Sequence, residues 1–294
     1  MSAKWVYRWH AEGWLAKLLL GYSRRMPDHP AKIRLFTFLA STCFPHGMPV
    51  CSSSGVRLRV DVRDYIGHSI CVGGGYEPQS LDLATRLMSA GGIFVDVGCN
   101  FGLYTCSIAA NSKSGVVAID ASPAALVKLQ DNLVRNRLTS VTVVSAAIQS
   151  KRSLAVLEAP PPTNLGATRI SSRLRSRIGG ANLVAAIPLG EVLLSLEVGP
   201  IHLMKIDVEG SELEVLAGLD FSASYRPRNI IMEHSERVAS SASDVNRCFA
   251  LLLAEGYAPH KVDGEVFELG GLLPEENVWW TGADPTEPAN AASN

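Results

Sequence analysis

The residues best suited to chemistry lie in two short segments, and the first is a glycine-containing loop. It runs from Asp96 through Gly98 and Asn100 to Gly102, directly after an apolar stretch predicted to be a strand. Gly98 allows the chain to turn sharply off the strand, and Gly102 allows the next helix to begin close to a ligand. Backbone N–H groups in the first turn of that helix can hold an anionic group. The segment is typical of a cofactor loop.

A carboxylate follows at a suitable distance, since Asp120 ends the next predicted strand, 22 residues after Gly98. An acid at this position can accept hydrogen bonds from a ribose diol. A nicotinamide dinucleotide would need a Gly-x-Gly-x-x-Gly loop for its pyrophosphate, whereas this loop has Gly-x-x-x-Gly. S-adenosylmethionine has no phosphate, and Asp96 is placed to meet its amino group. We therefore predict S-adenosylmethionine as the cofactor, with a nicotinamide-dependent oxidoreductase as the alternative.

The second segment, Lys205 to Glu209, ends a strand that is otherwise apolar. Lys205 and Asp207 are two residues apart, so both side chains lie on the same side of the strand. Charged groups are costly to bury, so three of them at a strand end favour a functional site. The alternative is a structural Lys–Asp pair, with Glu209 as an acid favoured by the start of the next helix.

Two features flank this segment. Ser211 and Glu214 have the spacing of a capping box and predict that a helix begins there. Glu233 and His234 end a later apolar strand in the same way. For a general base we rank Asp207 first, then Glu209 and Glu233, then His234. Magnesium could bind such carboxylates, but the sequence has no dedicated metal motif, so no metal is predicted.

These segments belong to a repeated strand–helix pattern, which predicts an α/β, doubly wound, mostly parallel sheet. The predicted strands are nearly all apolar, as strands covered on both faces are. The core strands are Ile93–Val97, Val116–Asp120, Val141–Ala147, Leu203–Asp207 and Asn229–Glu233, and the helices are Leu103–Ala110, Pro123–Asn136, Ser211–Leu219 and Asp244–Glu255. Tyr257–Val262 and Glu265–Leu269 read as a closing hairpin.

The pattern divides the chain into three parts: a helical appendage (1–54), a main domain (55–282) and a disordered tail (283–294). The appendage is basic and contains two predicted helices. The main domain opens with an alternating strand, Val56–Val62, whose expected partner is Ile66–Val72, followed by a helix from Gln79 to Ser89. Between Ser150 and Leu189 the pattern weakens, and a basic stretch contains Arg169, Arg173, Arg175 and Arg177.

Composition excludes several classes. The chain has 294 residues, is 47% hydrophobic and has a formal net charge of −1, so no overall field attracts nucleic acid. The six cysteines form no Cys-x-x-Cys pair, which argues against a zinc site and fits a reducing compartment. No stretch approaches the roughly 20 apolar residues of a membrane span. We expect a cytoplasmic protein, with weak surface association through the basic appendage as an alternative; the oligomeric state is not indicated.

The motifs together resemble the FkbM family of methyltransferases. The resemblance covers roughly Val56 to Glu236. Its segments are Gly75-Tyr76-Glu77, Ile93–Thr105, Val116–Leu126, Ile201–Leu219 and Ile230–Glu236. It implies a class I, Rossmann-like methyltransferase fold with a seven-stranded sheet and one antiparallel strand. It also implies O-methylation of a saccharide or secondary metabolite, and adds further expected cofactor-binding residues: Tyr76, Glu77, Tyr104, Thr105, Ala121 and Ala146.

The chain departs from the family pattern at two positions. Asp120 stands where the family commonly has Glu, and Gly190 follows Leu189 where the family usually has Asp. The second departure supports a further alternative, a catalytically degenerate protein that binds the cofactor. Two other interpretations are that Glu191 compensates for the missing acid and that the position is purely structural. The acceptor pocket is expected to come from Ser150–Leu189 and the N-terminal cap.

Overall fold

A computed structural model describes residues 9–27, 29–158, 169–171, 182–234, 242–265, 267 and 276–282. In chain order the elements are β1 (Trp9–Ala11), α1 (Trp14–Arg25), α2 (Pro30–Cys43), β2 (Met48–Ser52), β3 (Arg57–Val60), α3 (Tyr65–His68), a π-helical turn (Ser69–Gly73), α4 (Pro78–Leu87), β4 (Gly92–Val97), α5 (Leu103–Asn111), β5 (Ser114–Asp120), α6 (Pro123–Arg135), β6 (Val141–Ser145), β7 (Ala147–Ile148), β8 (Ser153–Glu158), β9 (Arg169–Ser171), β10 (Asn182–Ile187), α7 (Leu189–Ser195), β11 (Leu203–Ile206), α8 (Glu212–Ala217), β12 (Asn229–His234), α9 (Ala242–Ala254), β13 (Tyr257–Lys261) and β14 (Glu276–Gly282).

The central sheet has seven described strands in the order β13-β14-β12-β11-β4-β5-β6. The pairs from β12 through β6 are parallel, and β14 runs antiparallel to both of its neighbours. This confirms the predicted mostly parallel, doubly wound sheet. The predicted core strands lie within two residues of the observed bounds, because each is a short apolar run that is buried on both faces. The predicted strand Val141–Ala147 ends early, at Ser145, and Ala147 begins β7 of a second sheet.

Side chains alternate between the two faces of this sheet and build two separate cores. Phe94, Leu203 and Ile231 belong to the core that also contains the N-terminal elements, α4, α5 and α6. Val95 and Met204 belong to the core on the opposite face, with α7, α8 and α9. Residues two positions apart on a strand therefore lie on the same face of the sheet, which gives the face on which each candidate site residue lies.

The first arm of the predicted closing hairpin forms β13, and β13 pairs with a strand that the sequence analysis did not predict. Tyr257–Lys261 pairs with Glu276–Gly282, with Tyr257 opposite Gly282. The predicted second arm was Glu265–Leu269. Most of that predicted arm lies outside the described residues. β14 also pairs with β12, and its Val278 and Trp280 are fully buried, so tertiary packing rather than a local turn selects this arm.

The predicted strand Ile66–Val72 is wrong, because this segment forms α3 and the π-helical turn. The backbone passes so close at Gly67 that a Cβ atom there would lie 2.0 Å from the Asp61 carbonyl oxygen. The partner of β3 is instead β2, through a hairpin whose turn contains the predicted domain boundary at residue 54. The N-terminal part of the chain thus contains a three-stranded sheet, β1-β2-β3, besides its two predicted helices.

Part of the segment between Ser150 and Leu189, which showed no clear sequence pattern, forms strands. β8, β9 and β10 join β7 in a four-stranded sheet of order β7-β10-β8-β9. Arg169 lies on β9 of this sheet. The other arginines of the basic stretch, and the predicted tail from residue 283, lie outside the described residues.

Candidate active site

A cleft opens where β4, β5 and β11 end, as expected for ligand sites in open α/β sheets. Most of the predicted site residues line it: Tyr76, Asp96, Gly98, Asn100, Tyr104, Asp120, Ala121, Ala146, Lys205, Asp207 and Glu209. Glu77, Gly102, Thr105, Glu233 and His234 are not among the lining residues. The structure therefore brings the two chemically suggestive segments to one place.

The glycines of the first segment are required by close approaches. Gly98 has φ +87°, and a Cβ atom there would lie 1.7 Å from the carbonyl oxygen of Asp207. The Asp207 N–H donates to the Val97 carbonyl at 2.9 Å, so the two segments are in backbone contact. Gly102 has φ +90°, and its Cβ would lie 2.4 Å from Leu129 of α6. A side chain at Gly98 would displace the backbone of the second segment, whereas one at Gly102 would require the Leu129 side chain to shift and would strain the left-handed backbone.

Asp120 is held by the loop it faces. One carboxylate oxygen accepts from the Asn100 backbone N–H at 2.8 Å and the other from the Ser122 N–H at 2.7 Å. Asn100 adopts a left-handed conformation, φ 48°, to make this contact. Burial raises the pKa of Asp120, and the two backbone hydrogen bonds oppose the rise. Each oxygen keeps a further acceptor site.

Asp96 is buried and tied to the following helix. Its Oδ2 accepts from the Thr105 N–H at 3.1 Å and from the Thr105 hydroxyl at 2.5 Å. Burial raises the pKa of Asp96 to about 6, although the Thr105 hydroxyl lowers it. Thr105 therefore orients Asp96 from behind rather than lining the cleft.

Lys205 is fully buried in the wall of the cleft and has several polar partners. Its Nζ donates to Asp207 Oδ2 at 3.2 Å and to Asn277 Oδ1 at 3.0 Å. It also lies 4.0 Å from Glu77 Oε2, which in turn accepts from the Tyr104 hydroxyl at 2.7 Å. Burial lowers the pKa of Lys205, but the surrounding carboxylates outweigh it and the net shift is upward. Lys205 stays charged.

Asn277 is a hydrogen-bond partner of Lys205 that the sequence did not reveal. It lies on β14, directly opposite Glu233 in the antiparallel register. The segment around it was not predicted as a strand, and a lone asparagine carries no local signal of a role.

Asp207 and Glu233 form a hydrogen-bonded pair of carboxyl groups. Burial and the nearby Asp207 charge raise the pKa of Glu233 to about 10. Burial raises the pKa of Asp207, but Lys205 and the hydrogen bond from Glu233 lower it below its usual value. The two shifts have opposite directions, which favours one shared proton at neutral pH and a single negative charge that Lys205 balances.

The turn after β11 is pinned by a side chain other than the one predicted. Ser211 makes no capping hydrogen bond, so the predicted capping box is wrong, although the helix begins at Glu212 as expected. Glu214 instead accepts from the Ser150 N–H at 3.1 Å. Glu212 folds back and accepts from the Gly210 N–H at 3.0 Å, which fixes the turn.

Glu209 occupies the middle of this turn and lines the cleft. It has φ 54°, a left-handed conformation that non-glycine residues rarely adopt and that clusters at functional sites. Burial, then the Asp207 charge, raise the pKa of Glu209 to about 7, while Arg169 of β9 opposes the rise. Glu209 is a half-buried acid that titrates near neutral pH.

His234 lies on the opposite face of the sheet. Its ring packs 4.5 Å from Phe249, and its Nε2 accepts from Trp280 Nε1 at 3.4 Å. Burial, then Lys205, lower the pKa of His234 to about 3, so the ring is neutral. It does not line the cleft, and its Nε2 lone pair is occupied by the hydrogen bond from Trp280.

Gly190, the departure from the family pattern, also lies outside the cleft. It is buried at the start of α7, where a Cβ atom would lie 2.6 Å from the Tyr225 hydroxyl and 3.1 Å from the Gly218 carbonyl oxygen. Packing against Tyr225 and Gly218 therefore restricts position 190 to a small residue.

The described residues contain neither a cluster of metal-type ligands nor a membrane-spanning helix. No group of three or more His, Cys, Asp or Glu residues is arranged there to hold a metal ion. No helix in the described ranges is long and apolar enough to cross a membrane.

The comparisons with known proteins agree with this geometry. The methyltransferase FkbM domain matches residues 96–259. Hexuronic acid methyltransferase AglP of Haloferax volcanii is 29% identical over 124 residues, which are 42% of this chain and 48% of that protein. The match therefore spans about half the length of this relative.

Two solved structures are similar at low sequence identity. Precorrin-6y C5,15-methyltransferase from Geobacter metallireducens has a TM-score of 0.41 and 12% identity, covering 71% of this chain and 89% of its own. A TehB-like SAM-dependent methyltransferase from Corynebacterium glutamicum has a TM-score of 0.42 and 10% identity, covering 74% and 94%.

The family match begins at Asp96, includes Asp120, Lys205, Asp207 and Glu209, and ends in β13. It covers more than half of the chain and contains nearly all of the cleft described above. The protein therefore belongs to the FkbM methyltransferase family.

Proposed function

We propose that the protein transfers the methyl group of S-adenosylmethionine to a hydroxyl group of a saccharide or secondary metabolite. One observation carries the proposal: the loop from Gly98 to Gly102 and the acid Asp120 face the carboxylates Asp207 and Glu209 across one cleft. A cofactor held by the first pair would meet its acceptor beside the second.

The residues of the cleft fit this cofactor. Asp96, Asp120, Asp207 and Glu209 outnumber the one buried cation, Lys205, among the charged lining residues. A cleft with excess negative charge favours a ligand with a sulfonium and an ammonium group, and it opposes the pyrophosphate of a dinucleotide. The two oxygens of Asp120, each with a free acceptor site, suit the two hydroxyls of a ribose.

The donor supplies a methyl group already activated as a sulfonium, so the protein mainly aligns the acceptor and removes its proton. In the proposed step the acceptor oxygen forms a bond to the methyl carbon, the carbon–sulfur bond breaks, and the hydroxyl proton goes to a carboxylate. We assign that role to Glu209, because its pKa of about 7 suits a base at neutral pH. Asp207 is a weaker base, since Lys205 and Glu233 hold its pKa down.

A saccharide acceptor has two supports. The Haloferax relative is named a hexuronic acid methyltransferase, although the match covers only about half of it. In this chain Arg169 is close enough to oppose the rise in the Glu209 pKa, and its neighbour Ile170 lines the cleft. An arginine at this rim could pair with a carboxylated sugar.

The alternative of a degenerate cofactor-binding protein is less favoured. It was supported by Gly190, and that residue packs against Tyr225 away from the cleft.

The test is a calorimetric titration of the purified protein with S-adenosylhomocysteine, with NAD as the control ligand. We expect saturable binding of S-adenosylhomocysteine and none of NAD. Asp120→Ala should weaken the binding, while the matched variant Asp82→Ala should not, because Asp82 pairs with Arg86 on α4 away from the cleft. Equal affinity of both variants, or NAD binding, would contradict the proposal.

A further inference from the structure

The two N-terminal helices, α1 and α2, expose large apolar side chains. Trp14 and Leu18 of α1 are 77% and 64% exposed, and Leu35 and Phe38 of α2 are 45% and 65% exposed. Single exposed apolar residues are common, but four on two neighbouring helices form a patch that needs an explanation.

On each helix the exposed apolar side chains share a stripe with basic ones. Along α1, Trp14, Lys17, Leu18 and Arg25 have spacings of three, four and seven residues, and all are exposed. Along α2, Arg34, Leu35 and Phe38 repeat the arrangement. We call these seven residues the hairpin stripe.

Helices α1 and α2 form a helical hairpin, which contacts the rest of the protein through the faces opposite the hairpin stripe. Arg24 donates to the carbonyl oxygens of Trp9 and Cys71 at 3.1 and 3.0 Å. Phe36 packs edge-on against His68 of α3, with ring centroids 6.5 Å apart. Both helices therefore bury one side on the segment around α3 and the π-helical turn, and the hairpin stripe faces away from the protein.

The charge of this region is one-sided. Neither α1 nor α2 contains an Asp or Glu residue. Residues 1–43 carry seven Lys and Arg against two Asp and Glu, a net charge of +5, whereas the whole chain is at −1. Within the described part of this region, Lys17, Arg25 and Arg34 are exposed beside the apolar groups, whereas Lys32 is buried and Arg24 is bonded to the body.

We propose that the hairpin stripe docks the protein onto an anionic lipid surface. Trp, Leu and Phe side chains enter the boundary between headgroups and acyl chains, while Lys and Arg bind anionic headgroups. A second copy of the chain is a less favourable binding partner. In a twofold symmetric dimer the basic residues of one hairpin stripe would face those of the other and repel them. Nucleic acid would use the charges but leave the apolar side chains in water.

The test is co-sedimentation of the full chain with vesicles of equimolar phosphatidylcholine and phosphatidylglycerol, against vesicles of phosphatidylcholine alone. We expect binding to the anionic vesicles that weakens with salt. Replacing Lys17, Arg25 and Arg34 together by Gln should weaken binding about a hundredfold, since each charge near the surface contributes about fivefold. Leu18→Gln with Phe38→Gln should also reduce it.

The matched control is Val127→Gln with Val134→Gln, which replaces two apolar residues of α6 that are 71% and 74% exposed and should leave binding unchanged. Thermal midpoints of all variants establish that each is folded. Equal binding to both kinds of vesicle, no binding to either, or a dimer that the stripe variants abolish would overturn the proposal.

Discussion

The carbonyl oxygen of Asp207 occupies the space next to Gly98 that a side chain would need, 1.7 Å from where its Cβ would be. This contact joins the loop after β4 to the segment after β11. The two segments are over a hundred residues apart in the chain, yet their backbones set each other's position. A glycine at residue 98 is thus required by the second segment as much as by its own φ of +87°.

Gly98→Ala should therefore disturb both segments at once. The added Cβ must push the Asp207 carbonyl away, and the left-handed φ adds strain, for a loss of about 3 kcal/mol in the free energy of unfolding. Thermal midpoints and S-adenosylhomocysteine titration measure the two effects. Gly199→Ala is the control, because a Cβ there meets no atom within 4 Å. Similar behaviour of the two variants would show that the loop can move aside.

Glu209→Gln tests the proposed base. With a pKa of about 7, Glu209 is ionised above this pH and protonated below it, so wild-type kcat/KM should rise through pH about 7. The Gln variant should lose this rise and about a hundredfold or more of kcat. Glu197→Gln is the control, since Glu197 is exposed and also has a left-handed φ, 51°. A Gln variant that keeps the pH rise would place the base elsewhere.

Glu233→Gln should make stability less dependent on pH. The folded pKa of Glu233, about 10, lies above its usual 4.5, so unfolding between these values releases a proton. The free energy of unfolding of the wild type should therefore fall as pH rises from about 5 towards 10. Gln mimics the protonated acid and removes this slope.

Asp207→Asn is the informative comparison for this pair. It takes away the charged partner of the buried Lys205, which should cost about 3 kcal/mol or more. Urea unfolding across the pH range measures both variants. If Glu233→Gln destabilised the protein as much as Asp207→Asn does, Glu233 would be the ionised member of the pair.

His234→Phe should leave turnover and S-adenosylhomocysteine affinity intact. The phenyl ring keeps the packing against Phe249, and the lost hydrogen bond from Trp280 costs about 1 kcal/mol. A methylation assay at saturating donor measures turnover, and a thermal midpoint measures the loss of stability separately. Loss of turnover in a folded variant would return His234 to the reaction.

Much of the site followed from local rules. The period of two in strands puts Lys205 and Asp207 on one side, and the carboxyl ends of parallel strands bring Asp96, Asp120 and Asp207 to one edge of the sheet. The same alternation along β12 puts the His234 side chain on the face of the sheet opposite Glu233. The alternation is visible in the sequence, but His234 was ranked as a candidate base only because it lies at the end of a strand.

Other features depend on long-range pairing that no local pattern carries. β14 is selected by pairing with both β12 and β13, so neither its position nor the role of Asn277 could be predicted. Ile66–Val72 has the composition of a strand, but the contact at Gly67 and the pairing of β3 with β2 leave it helical. Tertiary contacts of this kind override the β-strand propensity of a short segment.

Gly190→Asp restores the residue usual in the family and tests whether this departure impairs activity. The new side chain meets the Tyr225 hydroxyl, which accepts from the Asp220 N–H at 3.2 Å, and it brings a carboxylate into a buried position. We expect a lower thermal midpoint, a loss of about 2 kcal/mol, and no gain in cofactor affinity or turnover. Gly190→Ala separates the steric part from the charge. A rise in turnover with Asp but not with Ala would instead mean that the native chain lacks a catalytic group, and a cofactor-binding protein without strong catalysis would become the better description.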